Sequence, residues 1–237
     1  MKQFSKLFAL GAVLVLATAF ASAITFGSDS TNTTYAGYLG LGTYPSPGDF
    51  VISSNPTFNL TNVTPAWDAA LPMSSWVGIA STAGPSGTVN PARGYYLFTY
   101  TYTGVSGASL TELNVYADDT TTVWLGATAA TATQVVMADP LGSDAHCSDG
   151  TPSCHQGRTG SLAAPPYAIN NGDTLYFVVF QLGLGGAGGT GNPSGLDFNG
   201  TIGSTEPVPE PSSLLLLGSG LIGSAGMMMR RRRASRG

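Results

Sequence analysis

Residues Phe98-Thr99-Tyr100-Thr101-Tyr102-Thr103 alternate an aromatic side chain with a threonine. Successive side chains of a β-strand point to opposite faces of a sheet, so this alternation puts the rings on one face and the threonines on the other. Aromatic and β-branched residues are also the types enriched in strands. The stretch therefore predicts a β-strand with one buried face.

Similar short runs recur along the chain, bounded by Gly, Pro, Asn and Asp, and no convincing 3.6-residue period occurs between residues 24 and 207. Residues 174–181 are apolar on both faces, which predicts a strand in the middle of the fold. About eight to ten strands without an internal repeat predict an all-β fold, an antiparallel β-sandwich of jelly-roll type. The other predicted strands are residues 57–63, 76–80, 110–116, 122–126 and 133–137.

Composition and charge exclude several classes of protein. Only 9% of the residues are charged, against about a quarter in ordinary globular domains, which argues against helical bundles and nucleic-acid-binding proteins. Residues 24–207 contain two basic and twelve acidic residues, a formal charge of −10. Such a body repels phosphate backbones and either serves solubility or attracts cations and basic partners.

The amino terminus has the pattern of a secretory signal peptide. Lys2 and Lys6 precede an apolar run over residues 7–20, and small residues stand at Ala21 and Ala23, the positions that signal peptidase reads. We therefore expect a signal peptide over residues 1–23 with cleavage after Ala23. The extracytoplasmic β-sandwich domain is then expected to occupy residues 24–204.

The carboxyl terminus has the pattern of a membrane-anchoring segment. Residues 205–211 form a Pro-rich spacer, and residues 212–229 are uncharged and long enough, at about 1.5 Å per helical residue, to cross the hydrocarbon core. Residues 230–237 form a tail that begins with the cluster Arg230, Arg231, Arg232 and Arg233. Positive residues stay on the cytoplasmic side, so this arrangement predicts a C-terminal transmembrane helix with the acidic body outside.

The order Val208-Pro209-Glu210-Pro211, apolar helix and Arg cluster resembles the PEP-CTERM protein-sorting signal of Gram-negative bacteria, also catalogued as an ice-binding-protein C-terminal domain. The resemblance implies recognition of Pro209-Glu210-Pro211 by an exosortase, a membrane cysteine protease. It also implies an inner-membrane precursor whose body is released or transferred to the cell surface or extracellular matrix. Proteins of this kind typically accompany exopolysaccharide or biofilm production. A permanent single-span anchor is the simpler alternative.

A second resemblance concerns residues 95–203. An acidic turn at Ala117-Asp118-Asp119-Thr120 precedes the strand at 122–126, and Asn171-Gly172-Asp173 precedes the strand at 174–181. Pro193-Ser194-Gly195-Leu196 then follows. This succession resembles the galactose-binding-like β-sandwich found in many PEP-CTERM proteins, and it implies that fold for the body.

The two cysteines, Cys147 and Cys154, bracket a short segment with Asp-Gly and Thr-Pro turn signals. In an oxidising compartment this pattern indicates a disulfide bond. The alternative is a zinc site that adds the flanking His146 and His155, although neighbouring residues on a strand point to opposite faces. These are the only two histidines of the chain, so a Ser-His-Asp or Cys-His catalytic site has few residues to draw on.

Other candidate chemistry is thin, and we expect no enzyme, no catalytic residue and no required cofactor. Asp118 and Asp119 supply the hard oxygen ligands of a structural Ca²⁺ site, or they belong to a solvated turn. Trp67, Trp76 and Trp124 stack on sugar rings if they are exposed, but burial is the expectation for most of them.

Three functions remain open on the sequence. The first is a non-catalytic surface or matrix protein, exported, sorted by an exosortase and associated with extracellular polysaccharide. The second is a carbohydrate-binding module with a defined glycan ligand. The third is an ice-binding protein, which needs a flat and regular threonine array that residues 120–122, 128, 131 and 133 do not repeat.

Overall fold

The computed structural model describes residues 23–64, 66–136, 162–181 and 193–203. They belong to one compact unit, Ser22–Thr205. The described residues form twelve β-strands and two short 3₁₀ turns, Pro47–Asp49 and Ala129–Thr131, and contain no α-helix. The strands are β1 (Ala23–Gly27), β2 (Thr33–Leu39), β3 (Asn55–Pro56), β4 (Phe58–Asn59), β5 (Val77–Gly78), β6 (Gly94–Thr101), β7 (Ala108–Asp118), β8 (Thr120–Gly126), β9 (Thr133–Val136), β10 (Tyr167–Ile169), β11 (Thr174–Gln181) and β12 (Gly195–Gly203).

These strands form two antiparallel sheets. Sheet 1 has the order β10-β7-β12-β5-β4, with β1 also paired to β12. Sheet 2 has the order β3-β2-β6-β11-β8-β9. Strand β12 pairs with β7 along its whole length, while its other edge is shared between β5, at Leu196, and β1, at residues 199–203. The prediction of an all-β fold with antiparallel sheets is confirmed.

The two sheets pack face to face through one apolar core. Phe98 and Phe177 from sheet 2 meet Leu110, Val115 and Phe198 from sheet 1 in the same buried cluster. The rings of Phe177 and Phe198 stack with their centroids 4.3 Å apart, which is ordinary spacing for an offset aromatic pair. The sheets therefore form a sandwich, and its core comes from the alternate inward-facing residues of both.

The prediction for residues 174–181 is confirmed in detail. All eight residues of β11 are buried, and β11 lies between β6 and β8. Leu175, Phe177 and Val179 face the core, whereas Tyr176, Val178 and Phe180 belong to a second cluster with Leu97 and Phe50. This second cluster is possible because the segment with the turn Pro47–Asp49 covers the outer face of sheet 2.

Several strands differ from the prediction. Strands β6 to β9 lie close to their predicted positions, but the predicted strands 57–63 and 76–80 shrink to the two-residue strands β4 and β5. Strands β1, β2, β3, β10 and β12 were not predicted, and with them the described residues form twelve strands. Ala23, the expected last residue of the signal peptide, is the first residue of β1 and pairs with Gly203.

Candidate functional site

The outer face of sheet 1 carries the polar residues of the body in rows across neighbouring strands. Asp118 lies opposite Gly195, and Tyr116 lies opposite Asp197. The next row is Asn114, Asn199 and Gly27, and the last is Glu112, Thr201 and Thr25. One end of this face is covered by other residues, and the opposite end is open.

At the covered end, a cluster of four buried residues packs on the outer face of sheet 1, and we call it the aromatic cover. Its members are Leu60, Trp67, Trp76 and Ala83. The indole rings of Trp67 and Trp76 lie 4.3 Å apart, and the Trp76 ring stacks on Tyr116 at 6.0 Å. Both tryptophans are fully buried. A Cβ on Gly195 would lie 2.8 Å from the Trp67 ring, so glycine at this position lets the indole lie directly on the strand.

The prediction that most tryptophans are buried is confirmed. Trp124, the third tryptophan, is half-buried on β8, and its Nε1 donates to Thr122 Oγ1 at 3.1 Å. It packs against the cluster on the outer face of sheet 2. No tryptophan of the described residues is therefore exposed as a stacking platform for a sugar ring.

Asp118 and Asp119 do not form a solvated turn, so that interpretation is wrong. Both residues are buried, and Asp119 is the single residue between β7 and β8. The Trp67 Nε1–H donates to Asp118 Oδ2 at 2.9 Å, and the Asp119 N–H donates to the carbonyl of Phe180. The described residues contain no group of three His, Cys, Asp or Glu side chains that could hold a metal ion. Asp118 thus fastens the aromatic cover to the end of β7.

Asp197 is a second buried carboxylate, and it fastens the loop before β5 to the outer face of sheet 1. The Leu71 N–H donates to its Oδ2 at 2.7 Å, and the Ser28 hydroxyl lies 2.9 Å from its Oδ1. Burial raises the pKa of the Asp197 carboxyl above its ordinary value, and hydrogen bonds from Ser74, Leu71 and Ser28 oppose that rise. Its position under the loop indicates a structural role.

The open end is a groove of about 180 Å³, which we call the polar groove. Its polar residues come from three adjacent strands and hold one another in place. Asn114 Nδ2 donates to Glu112 Oε1 at 3.1 Å and to Asn199 Oδ1 at 3.0 Å. Thr201 Oγ1 donates to Glu112 Oε2 at 3.3 Å. The residues lining the groove are Thr25, Phe26, Pro72, Met73, Glu112, Asn114, Asn199, Gly200 and Thr201.

A β-bulge turns Glu112 toward this groove. Thr201 pairs with Glu112, but the next residue of β12, Ile202, pairs with Leu110, so Thr111 is an extra residue in β7. A bulge bends its strand and re-aims the neighbouring side chains, and bulges are frequent beside binding sites. Here it leaves both Thr111 and Glu112 exposed on the outer face.

The rim of the groove is formed by Pro72 and Met73. Asn199 Nδ2 donates to the Pro72 carbonyl at 2.9 Å, and a Cβ on Gly27 would lie 2.5 Å from the Met73 carbonyl oxygen. Met73 is 74% exposed and has φ +64°, a conformation that few non-glycine residues adopt. Such backbone is held in place by its surroundings and is concentrated at functional sites.

The remaining predicted site residues lie outside the described residues. These are the signal-cleavage residue Ala21, the sorting motif Val208 to Pro211, the cluster Arg230 to Arg233 and the pair Cys147 and Cys154 with His146 and His155. The predicted transmembrane helix at 212–229 lies outside as well. Within the part of the chain that the structure describes, there is no helix with the length and apolar character of a membrane span.

Comparison with known proteins identifies the carboxyl terminus. Residues 207–233 match the PEP-CTERM protein-sorting motif. No curated protein and no solved structure is significantly similar to the chain. The chain therefore carries a PEP-CTERM sorting motif, which implies an exported protein of a Gram-negative bacterium that an exosortase processes. The resemblance of residues 95–203 to a galactose-binding-like domain stays a prediction.

The sequence did not predict the polar groove. The alternation Leu196, Phe198 and Ile202 with Asp197, Asn199 and Thr201 is a strand signal in the sequence, and it would have revealed β12. It does not reveal which strands lie beside β12. The groove depends on that pairing, because its residues are about 90 positions apart in the chain.

Proposed function

We propose that this is an exported, non-catalytic protein of the cell surface or extracellular matrix, sorted by an exosortase and associated with exopolysaccharide. The observation that carries the proposal is the match of residues 207–233 to the sorting motif. Pro209 and Pro211 keep the motif extended and unable to continue a helix, which leaves its backbone accessible to a protease.

The two terminal apolar segments have separate roles in this proposal. Signal peptidase removes residues 1–23, and the helix 212–229 holds the precursor in the inner membrane with Arg230 to Arg233 in the cytoplasm. After exosortase processing the body is outside the cell. We further propose that the sandwich is of jelly-roll type and that Cys147 and Cys154 form a disulfide in that oxidising environment.

A non-catalytic role is supported by the chemistry of the described surface. Among the described residues that line the polar groove, Glu112 is the one carboxylate, whereas glycoside hydrolysis ordinarily uses two carboxyl groups facing each other across the substrate. The buried carboxylates Asp118 and Asp197 are engaged by Trp67, Leu71 and Ser28. We assign no cofactor, and Asp118 and Asp119 then act as structural residues and bind no Ca²⁺.

The test is the mass and location of the native protein in its own host, with and without Glu210→Ala. Glu206→Ala is the matched control, because it removes the other acidic residue of the spacer and leaves Pro209-Glu210-Pro211 intact. We expect the wild type and the control to have lost both termini and to lie in the outer or extracellular fraction. The Glu210→Ala protein should remain a membrane-held precursor.

A native protein that keeps its Arg cluster and stays in the inner membrane would contradict the sorting proposal. The body would then be a tethered module, and the proposed role in the matrix would lose its main support. The same mass measurement tests the disulfide, because alkylation before and after reduction counts the free thiols of Cys147 and Cys154.

A further inference from the structure

We propose that the polar groove binds an uncharged sugar ring, one glycosyl unit of a longer chain. This inference rests on the groove residues Thr25, Glu112, Asn114, Asn199 and Thr201, and it is independent of how the protein is sorted. No residue of the groove belongs to the sorting motif. The ligand class follows from four properties of the groove: its hydrogen-bonding groups, its charge, its walls and its size.

The hydrogen-bonding groups match those of a sugar. Threonine hydroxyls donate and accept, asparagine amides donate and accept at separate atoms, and the carboxylate of Glu112 accepts strongly. They stand in two neighbouring rows on adjacent strands, with Thr25, Thr201 and Glu112 in one and Asn199 and Asn114 in the other. Adjacent strands lie about 4.8 Å apart and residues two positions apart on one strand about 6.6 Å apart, so the hydroxyls of one ring can reach groups of both rows and of two strands.

The groups are already ordered without a ligand. Glu112 is held by Asn114 and Thr201, and Asn199 is held by Asn114 and the Pro72 carbonyl. Binding to groups that are already fixed costs less side-chain entropy than binding to mobile ones. The network therefore favours a ligand that adds hydrogen bonds to the existing arrangement.

The charge of the groove excludes anionic ligands. None of the described residues that line it is basic, and Glu112 adds a negative charge. A phosphate or a carboxylate would be repelled. A sulfated or uronic-acid sugar is therefore disfavoured relative to a neutral one.

A divalent cation is also disfavoured. Ca²⁺ takes six to eight oxygen ligands, usually with several carboxylates, as a general rule. Of the described residues that line the groove, only Glu112 is acidic, and both of its oxygens already accept hydrogen bonds. The groove therefore lacks the anionic ligands that would hold such an ion.

The walls and the size fit one ring of an amphipathic ligand. Pro72 and the exposed side chain of Met73 supply an apolar edge for the C–H face of a sugar, and thioethers adapt well to such surfaces. The groove has a volume of about 180 Å³ and is partly open to solvent. This is enough for one ring, and a longer glycan would continue into solvent.

The experiment is a titration of the full-length chain, purified in mild detergent, with the methyl glycosides of glucose, galactose and mannose. Binding is followed by calorimetry or by NMR shifts, at ligand concentrations that reach the millimolar range. Thr201→Val keeps the shape of the side chain and removes its hydroxyl, and Glu112→Gln keeps its length and removes its charge. Thr133→Val is the matched control, because Thr133 is an exposed strand threonine on β9 of the other sheet and does not line the groove.

We expect at least one neutral glycoside to bind, with about tenfold weaker binding in Thr201→Val and Glu112→Gln and an unchanged affinity in Thr133→Val. Glucuronate should bind more weakly than glucose, and EDTA should change nothing. Failure of every neutral glycoside to bind overturns the proposal, as does equal binding in all three variants. Binding that EDTA abolishes overturns it in favour of an ion site. Each of these outcomes leaves the sorting proposal standing, because sorting is measured separately by the location of the Glu210→Ala protein.

Discussion

The outer face of sheet 1 has two ends that are built on the same strands, β7 and β12, and that differ completely in their surroundings. At one end Tyr116 lies under Trp76, and Asp118 accepts a hydrogen bond from Trp67. At the other end Glu112 is exposed and Thr201 is half-buried in the polar groove. Strands β7 and β12 pair continuously from one end to the other, with one bulge at Thr111.

The difference shows what a polar residue on a sheet contributes in each setting. At the covered end, Asp118 accepts a hydrogen bond from the buried indole of Trp67 and holds the aromatic cover in place. Asp197 accepts from the Leu71 N–H and holds the loop before β5 in place. In the polar groove, carboxylate, amides and hydroxyls bond chiefly to one another and remain accessible. The first end stabilises the fold, and the second is available for a ligand.

The largest expected effect is at the centre of the aromatic cover. Trp76→Ala removes a fully buried indole that contacts Trp67 and Tyr116, and it should lower the free energy of unfolding by about 3–5 kcal/mol. Urea unfolding followed by circular dichroism measures this change. The control is Met73→Ala at the rim of the polar groove, which should change stability by less than about 0.5 kcal/mol. Equal losses in the two variants would remove the distinction between the covered and open ends.

A smaller loss is expected at the buried carboxylate that holds the loop. Asp197→Ala leaves the Leu71 N–H without its acceptor and removes one of the acceptors near the Ser28 hydroxyl, so it should cost about 2–3 kcal/mol. Asp197→Asn keeps an acceptor oxygen and should cost less at neutral pH. If Asp197→Ala were as stable as the wild type in urea unfolding, the carboxylate would not fasten the loop.

The same residue predicts a pH dependence with a definite sign. The pKa of Asp197 is raised above 3.8 by burial, so the folded protein binds a proton at this site more tightly than the unfolded chain. The resulting stability is present below about pH 3.8 and is lost as the pH rises through the folded-state pKa. As the pH rises from about 3.8 through the folded-state pKa, the Asp197→Asn variant should therefore gain stability relative to the wild type. A relative loss over that range, measured by urea unfolding at several pH values, would contradict the raised pKa.

The next effect concerns the hydrogen bond between the cover and β7. Trp67→Phe keeps most of the buried ring and removes the donor to Asp118 Oδ2, so the free energy of unfolding, measured in urea, should fall by about 1–2 kcal/mol.

Thermal unfolding of the wild type with added Ca²⁺ and with EDTA tests whether Asp118 and Asp119 bind the ion. A higher melting temperature with Ca²⁺ in the wild type would restore the interpretation of Asp118 and Asp119 as a calcium site.

The smallest effect is expected in the polar groove. Glu112→Ala should change the free energy of unfolding by less than about 0.5 kcal/mol, because Glu112 is exposed and its partners can bond to water instead. Equilibrium unfolding in urea measures it alongside Trp67→Phe. A loss as large as that of Trp67→Phe would make Glu112 a structural residue and weaken the case for a ligand site.

The fold class could be predicted because the composition and the alternation of apolar and polar residues are typical of β-strands. The fully apolar run at 174–181 indicated a central strand, and β11 is one. Strand β1 was missed because Ala23 is typical of the end of a signal peptide. Strand β12 was missed because Gly195-Leu196 is typical of a turn. Neither reason concerns strand propensity. A search for alternating apolar and polar residues alone would therefore have found part of β1 and part of β12.

The candidate site could not be predicted in the same way. Whether Asp118 is solvated depends on Trp67, a residue from a distant loop that packs on Gly195. The position of Glu112 depends on an extra residue in β7, and its neighbours come from β1 and β12. These are consequences of pairing between distant segments, and a single sequence does not state them.

The pairing of β1 with β12 has one more consequence. Ala23 and Gly203, the first and last residues of the described body, are opposite each other on adjacent strands, where Cα atoms lie about 5 Å apart. The two ends of the described body therefore lie side by side. A short peptide joining residue 203 to residue 23 would permit circular permutation, with new termini opened in a surface loop. Cleavage after Ala23 would likewise shorten β1 by one residue at its end and leave residues 24–27 paired in place.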